Sequence, residues 1–225
     1  MKSTSVFTAF KSPFVLHTPS SIEGAYTVQL SDASSGQPDV SLKSAKGKID
    51  ADLSLLGKRP ASIEADTRNH PLRLRVSAQN PIDVQASSGS GEFWRKDRLT
   101  SGAIHIWLPQ HFDGELIAQC FGGLRAELSP RLASYAVSLP GKRDDYEWNA
   151  PEYRQSWRVR LPPDPDVEQG QCQASGTLLV GTRTDEEELQ AGSSLIKATT
   201  VTGRIYFYHP SDDVISERSD RCAVM

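Results

Sequence analysis

The residue whose surroundings point most directly to chemistry is the cysteine four places from the end of the chain. The sequence ends Cys222-Ala223-Val224-Met225, which matches the C-a-a-X motif, with methionine at the position that favours a farnesyl group. The polar stretch at 211–221 has no strand pattern and would leave the cysteine accessible. We therefore predict lipidation at Cys222. The alternative is an unmodified cysteine in a disordered tail.

One lipid chain anchors a protein only marginally unless a polybasic segment or a second lipid assists it. Here Arg218 and Arg221 are offset by four acidic residues at 212, 213, 217 and 220, and no second cysteine is near. We expect a cytoplasmic protein that attaches weakly and reversibly, as a peripheral protein, to a cytosol-facing membrane.

Two aromatic groups lie where the regular pattern of the chain is interrupted. Phe93 and Trp94 stand in a Gly/Ser-flanked stretch, and Trp148 and Trp157 lie in an irregular stretch rich in proline and charge. Aromatic rings beside charges on loops are common in ligand and partner sites. These four residues are candidate binding residues for a carbohydrate or a protein partner. The alternative is that the rings cap the ends of a repeat stack.

Carboxylates recur on alternate strand positions, where they could also serve as acids and bases. If the repeats described below stack in register, Asp50 lies over Arg73, Asp52 over Arg75, and Lys43 over Asp66. Opposite charges on neighbouring strands stabilise a sheet. We therefore interpret these residues as a charge ladder and predict no catalytic residue.

No other motif predicts a catalytic, metal or cofactor site. The five histidines form no i, i+4 pair, and the G-x-S-x-G, P-loop and G-x-G-x-x-G patterns are missing from the sequence. Cys120 alternates with Leu116 and Ala118, so we expect a buried thiol, and His105 is expected to point outward.

The residues above are positioned by a short sequence motif that repeats along the chain. Between Val40 and Leu53, apolar residues alternate with polar ones on both sides of a turn at Gly47, which is typical of two half-buried strands joined by a corner. Similar motifs start at residues 63, 82, 116 and 196. We predict an all-β fold, a β-solenoid or β-helix-like stack of short strands. The alternative is an antiparallel β-sandwich.

Composition and charge limit the remaining possibilities. The 225 residues carry a net charge of −3, which argues against a nucleic-acid partner. No signal peptide and no transmembrane run is predicted. We expect a flexible N-terminal arm at 1–21, a single β-repeat domain at 22–209 and a flexible tail at 210–225. Insertions are expected near 87–101 and 140–170.

The repeats resemble a known family of unknown function. Corners such as S-A-K-G-K-I-D-A-D-L, together with the segment around Leu108-Pro109, Phe112 and Gly114, are similar to those of the fungal family DUF7330. That family is itself similar to adhesin-like β-repeat proteins of the DUF4097 type. The resemblance covers about residues 22 to 208. It implies an all-β fold and brings no established activity.

These observations leave three hypotheses open. The first is a non-enzymatic β-repeat interaction module with a prenylated tail. The second is a carbohydrate or small-ligand binding protein, which aromatic side chains beside a groove would favour. The third is an enzyme on a β-helix, which would need convergent, buried carboxylates.

Overall fold

A computed structural model describes residues 9–32, 36–89, 102–120, 126–139, 153–162, 193–201 and 203–212. Within these residues the chain forms fifteen strands and one short helix, which confirms the prediction of an all-β fold. In chain order they are β1 (Ala9–Lys11), β2 (Phe14–Thr18), β3 (Ile22–Gln29), β4 (Val40–Ser44), β5 (Ile49–Leu56), β6 (Ala61–Thr67), β7 (Leu72–Ala78), β8 (Ile82–Ser88), β9 (Ile104–Trp107), β10 (Asp113–Cys120), β11 (Ala126–Leu128), α1 (Pro130–Ala133), β12 (Ala136–Leu139), β13 (Tyr153–Arg160), β14 (Ser194–Thr200) and β15 (Ile205–Tyr208).

The strands belong to two sheets, and β1 to β11 alternate strictly between them. Sheet A has the order β1-β3-β5-β7-β9-β15-β11, and all its pairs are parallel. Sheet B has the order β12-β13-β10-β14-β8-β6-β4-β2 and is antiparallel only where β13 meets β10 and β12. One strand in each sheet, with the corner between them, makes a unit that we call a rung.

The alternation of side chains explains why the two sheets face each other. In β5, Ile49, Ala51 and Leu53 are at most 1% exposed, whereas the intervening Asp50 and Asp52 point outward. Successive strand residues point to opposite faces, so each strand contributes one apolar row to a common core. That core runs the length of both sheets.

Hydroxyl groups and glycines close the corners that lead from sheet B to sheet A. At the end of β4, Ser44 Oγ accepts a hydrogen bond from Gly47 N at 2.9 Å and donates one to Ser20 O of the preceding rung at 2.8 Å. A Cβ added to Gly47 would lie 2.2 Å from the backbone nitrogen of Ser21. The corner therefore needs glycine because neighbouring corners are in direct contact.

The rungs do not stack in chain order. The last one, β14 and β15, lies between the rung of β8 and β9 and the rung of β10 and β11. Its corner has the same hydroxyl–glycine contact, from Gly203 N to Thr200 Oγ1 at 3.0 Å. The repetition predicted from the sequence is present, but the sequence-based interpretation did not foresee this intercalation.

The prediction of a loose arm at 1–21 is wrong for residues 9–18. In β2, Phe14 and Leu16 align with Val40 and Leu42 of β4 and pack against the core, while β1 pairs with β3. These residues cover apolar side chains that an open end of the stack would expose to water.

The interruptions of the pattern also differ from the prediction. Ser87 and Ser88 belong to β8, so the first insertion begins later than expected. The second stretch predicted as an insertion contains strand β13 from Tyr153 to Arg160. Helix α1 was not predicted; Ser129 is its N-cap and Pro130 occupies its first turn, as both residue types favour. The tail from 213 onward lies outside the described residues.

Candidate binding surface

The outward side chains of sheet A form two straight rows that run across the rungs. This face is named the outer face of sheet A. In-register pairing fixes the order of each row. The first contains Glu23, Asp50, Arg73, His105, Tyr206 and Glu127, and the second contains Ala25, Asp52, Arg75, Trp107 and Tyr208.

Ion pairs occupy one half of this face, as the sequence predicted. Arg73 Nη1 lies 3.7 Å from Asp50 Oδ2, and Arg75 Nη1 lies 3.1 Å from Asp52 Oδ1. The side chains of the Asp50 pair are 33% and 25% exposed. Partly exposed pairs of this kind contribute at most about 1 kcal/mol each, so their main effect is to favour this register.

Four aromatic rings occupy the other half and form what we call the aromatic stack: His105, Trp107, Tyr206 and Tyr208. The centroids of His105 and Tyr206 are 4.8 Å apart, and those of Trp107 and Tyr208 are 4.4 Å apart, both with rings inclined by 16°. Each such contact adds about 0.5–1.5 kcal/mol to the burial of the rings. The stack exists because β15 pairs with β9.

Trp107 joins the aromatic stack to the charge ladder. One face of its ring packs on Tyr208, and the guanidinium carbon of Arg75 lies 4.8 Å from its ring centroid, within cation–π distance. Its Nε1 donates a hydrogen bond to Asp212 O at 3.2 Å. Trp107 is only 4% exposed, so it supports the surface and presents no open ring face to a ligand.

A shallow cleft of about 280 Å³ opens beside Trp107. Its polar lining is formed by Asp52, Ser54, Arg75, Ser77 and Gln110. The only two ionised groups of this lining have opposite signs and are paired with each other. The cleft therefore offers hydrogen-bond donors and acceptors without a net charge, and its volume is near the lower end of the ~300–1,000 Å³ found for ligand pockets.

The Tyr208 hydroxyl on this face is protonated near neutral pH. Burial, assisted by the neighbouring Tyr206, raises the pKa of Tyr208 to about 12. Its hydroxyl is hydrogen-bonded to His105 Nδ1 at 3.0 Å. The phenol thus stays protonated and positions the imidazole.

The outward face of sheet B carries a second arrangement of charges. Lys43 aligns with Asp66 as predicted, but its ion pair goes diagonally to Glu64 Oε1 at 2.8 Å. The Asp66 carboxylate instead accepts a hydrogen bond from Ser87 Oγ. The register was correct, and the partner was wrong because Lys43 has two carboxylates within reach.

Two further groups, Cys120 in the core and Asp83 on the outward face of sheet B, have a raised pKa. Burial raises the pKa of the Cys120 thiol to about 11, so the thiol is protonated and unreactive, and the prediction of a buried cysteine is confirmed. Burial also raises the pKa of Asp83, whose Oδ1 has no hydrogen-bond partner among the described residues.

The described part of the chain contains no group of three or more His, Cys, Asp or Glu side chains placed to hold a metal ion. It also contains no helix that is long and apolar enough to cross a membrane.

Of the five residues predicted to form sites, the structure describes only Trp157. Phe93, Trp94, Trp148 and Cys222 lie outside the described residues. Trp157 is in strand β13 and not in a loop. It is 8% exposed and packs edge-on against Phe207 with centroids 6.2 Å apart. Because Trp157 points into the core beside the outer rung, its position fits the capping alternative and contradicts a ligand-contacting role.

The aromatic stack and the cleft were missed by the sequence analysis. Ile104-His105-Ile106-Trp107 and Ile205-Tyr206-Phe207-Tyr208 alternate in the same way, and that similarity was a usable signal. What the sequence did not reveal is that β9 and β15, which are about a hundred residues apart, are direct neighbours.

Comparison with known proteins gives one match. The model of the family described as "Domain of unknown function (DUF7330)" matches residues 5–146. It includes the first two strands, which the resemblance at 22–208 left out, and ends before β13. Searches of curated proteins and of solved structures found no match. Because the family model covers more than half of the 225 residues, this chain belongs to the DUF7330 family.

Proposed function

We propose that the chain is a non-enzymatic β-repeat interaction module with the architecture of a two-sheet β-solenoid. The support for a solenoid is the strict alternation of β1 to β11 between two sheets with parallel neighbours. In an antiparallel sandwich, hairpins would join neighbouring strands within each sheet. Among the described strands, the only antiparallel pairs are those of β13.

The main support for an interaction module is that the outward carboxylates are paired with arginines. Asp50 and Asp52 pair with arginines of the next rung, and Asp113 accepts hydrogen bonds from Arg158 and Arg160 at 2.8 and 2.9 Å. Carboxylates that are paired with arginines of neighbouring strands favour one register of the sheet. These groups stabilise a regular surface, which is what a recognition scaffold requires.

The module is proposed to attach reversibly to a cytosol-facing membrane through Cys222. The Cys222 thiol would release its proton to solvent, and its sulfur would form a thioether bond to C1 of farnesyl diphosphate, the carbon that carries the diphosphate. Pyrophosphate would leave with the electron pair of the broken C–O bond. The C-a-a-X sequence supports this step. A single chain of this kind gives marginal binding, so the protein would exchange between the cytoplasm and the membrane.

Mass spectrometry of the C-terminal peptide from the native host tests the lipidation directly. The expected species ends at a farnesylated Cys222 from which the last three residues have been removed. A Cys222→Ser chain, in which the acceptor sulfur is missing, is the control. Detection of only the unmodified peptide ending at Met225 would refute lipidation.

A second candidate function is the binding of a small, neutral, polyhydroxylated ligand such as a saccharide. The observation that favours it is the cleft beside Trp107, where Asp52, Arg75 and Gln110 provide polar groups of no net charge. Calorimetric titration with mono- and disaccharides tests it. The ligand function would be supported by saturable binding that Gln110→Ala weakens. Gln85→Ala, at an exposed position on the outward face of sheet B, should leave that binding unchanged. Titrations without heat in both chains would reject it.

A further inference from the structure

The corners that lead from sheet B to sheet A form a ridge along one edge of the molecule. Their stacking is direct: Lys46 N donates to Pro19 O at 3.0 Å, and a Cβ on Gly102 would lie 2.0 Å from the carbonyl carbon of His70. Gly203 is in equally close contact with Gly102. We name the described residues of these turns the corner ridge: 19–21, 45–48, 68–71, 102–103, 201 and 203–204.

The corner ridge carries only positive charge among its described residues. It contains Lys46, Lys48, Arg68 and Arg204, together with His70, and no aspartate or glutamate. This sign is unusual in a chain whose net charge is −3. Parallel strands lie about 4.7–4.9 Å apart, so cations on adjacent corners repel each other and raise the positive potential of the edge.

Part of this charge is available to a partner. The ammonium group of Lys48 lies 3.4 Å from Glu23 Oε1, which offsets its charge. Lys46 and Arg68 are both exposed, and neither forms an ion pair with a residue that the structure describes. Two neighbouring corners therefore present two cations that no described carboxylate neutralises by contact.

A hollow of about 490 Å³ lies beside these two corners on the outward side of sheet B. Its lining includes His17, Lys43, Asp66 and Arg68, and the Lys43 ammonium is already paired with Glu64. The carboxylate of Asp66 is engaged by Ser87 Oγ, and His17 Nε2 is held at 2.9 Å from Ser41 Oγ. The hollow has the size of a site for a headgroup, and the Arg68 guanidinium can donate hydrogen bonds to an anion there.

We propose that the corner ridge and this hollow bind the surface of a membrane that contains anionic phospholipid, with a phosphate-bearing headgroup beside Arg68. The proposal rests on the membrane attachment proposed above, to which it adds the second signal that a single prenyl chain requires. Clusters of four or more Lys and Arg residues next to a membrane anchor attract anionic lipid, by about fivefold in affinity for each cation.

The position of the lipidated cysteine is compatible with this orientation. The last described residue, Asp212, lies at the opposite edge, where it follows β15. Nine residues separate it from Cys222, and the ten residue-to-residue steps span at most about 33–36 Å. The strands between the two edges have at most eight residues, or about 27 Å, so the tail is long enough to place Cys222 at the ridge.

Vesicle binding of the full chain, farnesylated with a purified transferase, tests the proposal. Binding to phosphatidylcholine vesicles reports the lipid anchor, and the gain on adding phosphatidylserine reports the ridge. The double variant Lys46→Gln, Arg68→Gln should bind phosphatidylserine-containing vesicles about 25-fold more weakly than the wild-type chain does. Its affinity for neutral vesicles should be unchanged. The gain should also fall with added salt.

The matched control is Lys58→Gln, Lys197→Gln, which removes the same charge at exposed positions away from the ridge. It should retain the phosphatidylserine-dependent gain. An equal loss in both double variants, or no gain with phosphatidylserine, would overturn the proposal. The proposal would also be overturned if the variant Lys46→Gln, Arg68→Gln lost affinity for single-stranded RNA but kept its affinity for vesicles.

If the transferase does not modify the chain, the lipidation proposal fails and the ridge is tested separately. The same vesicle comparison is then made at low salt with the unmodified chain. Binding that requires phosphatidylserine, Lys46 and Arg68 supports the ridge without the anchor, and its absence refutes the ridge.

Discussion

Individual side chains in this molecule act mainly by fixing the register of the rungs. Asp50 and Asp52 each meet an arginine of the next rung, and a shift by one residue would turn the charged row into the core. The buried carboxylate of Asp39 also joins two neighbouring rungs. It is 4% exposed, receives hydrogen bonds from Arg59 and from Ser62 N, and through its hydrogen bond raises the pKa of Arg59.

At the residue scale, His209 gives the stability of the fold a predictable pH dependence. Burial, assisted by Arg131, lowers the pKa of His209, and Ser211 N donates a hydrogen bond to its Nδ1 at 3.2 Å, which requires the neutral ring. The unfolded chain therefore binds a proton at a higher pH than the folded chain does. The contribution of His209 to the free energy of unfolding should be constant above about pH 6.5 and fall below it until the folded pKa is reached.

Urea unfolding at several pH values measures this effect. Each unit of pKa difference corresponds to about 1.4 kcal/mol, and His209→Gln should flatten the dependence just below pH 6.5. The exposed His111→Gln chain is the control and should retain the wild-type slope. Identical slopes in all three chains would show that His209 does not titrate differently in the folded state.

At the scale of elements, the corner is the feature on which the stacking depends. A Cβ at Gly47 would collide with the backbone of Ser20 and Ser21, and backbone cannot move away as a flexible side chain could. We expect Gly47→Ala to lower the free energy of unfolding by about 1–3 kcal/mol, as overpacked sites do. Lys46→Ala, in the same corner but exposed, should change it by less than about 0.5 kcal/mol. Equal values for the two variants would argue against close contact of the corners.

The rung of β14 and β15 is the element whose position has the largest consequence for folding. Because it pairs with β8 and β10 in one sheet and with β9 and β11 in the other, a chain that ends at residue 192 loses the link between two parts of the stack. We expect this truncated chain to lose cooperative unfolding, whereas a chain that ends at residue 212 should unfold like the full chain. Circular dichroism during heating distinguishes them, and two identical transitions would contradict the intercalation.

The same element marks the limit of what the sequence could predict. The alternation and the corner at Gly47 were sufficient for the strands Val40–Ser44 and Ile49–Leu56, for their register and for the Asp50–Arg73 pair. Local periodicity does not encode which rungs become neighbours, so the contact between His105 and Tyr206 was not foreseen. Phe14 and Leu16 were missed because serine, threonine and proline around them hid a short alternating strand.

At the scale of the whole molecule, the polar features occupy separate surfaces. Sheet A presents the aromatic stack and the cleft, whereas the edge formed by the corners presents Lys46 and Arg68. If the edge contacts a membrane, the outer face of sheet A stands away from the lipid and remains open to a partner. This separation is consistent with a scaffold that is held at a surface while it recognises something else.

Membrane fractionation in the native host, with the wild-type chain and Cys222→Ser compared side by side, tests the central claim most directly. The proposed attachment predicts that part of the wild-type chain sediments with membranes, and that the variant moves to the soluble fraction while its thermal stability is unchanged. The same distribution for both chains would contradict attachment through Cys222.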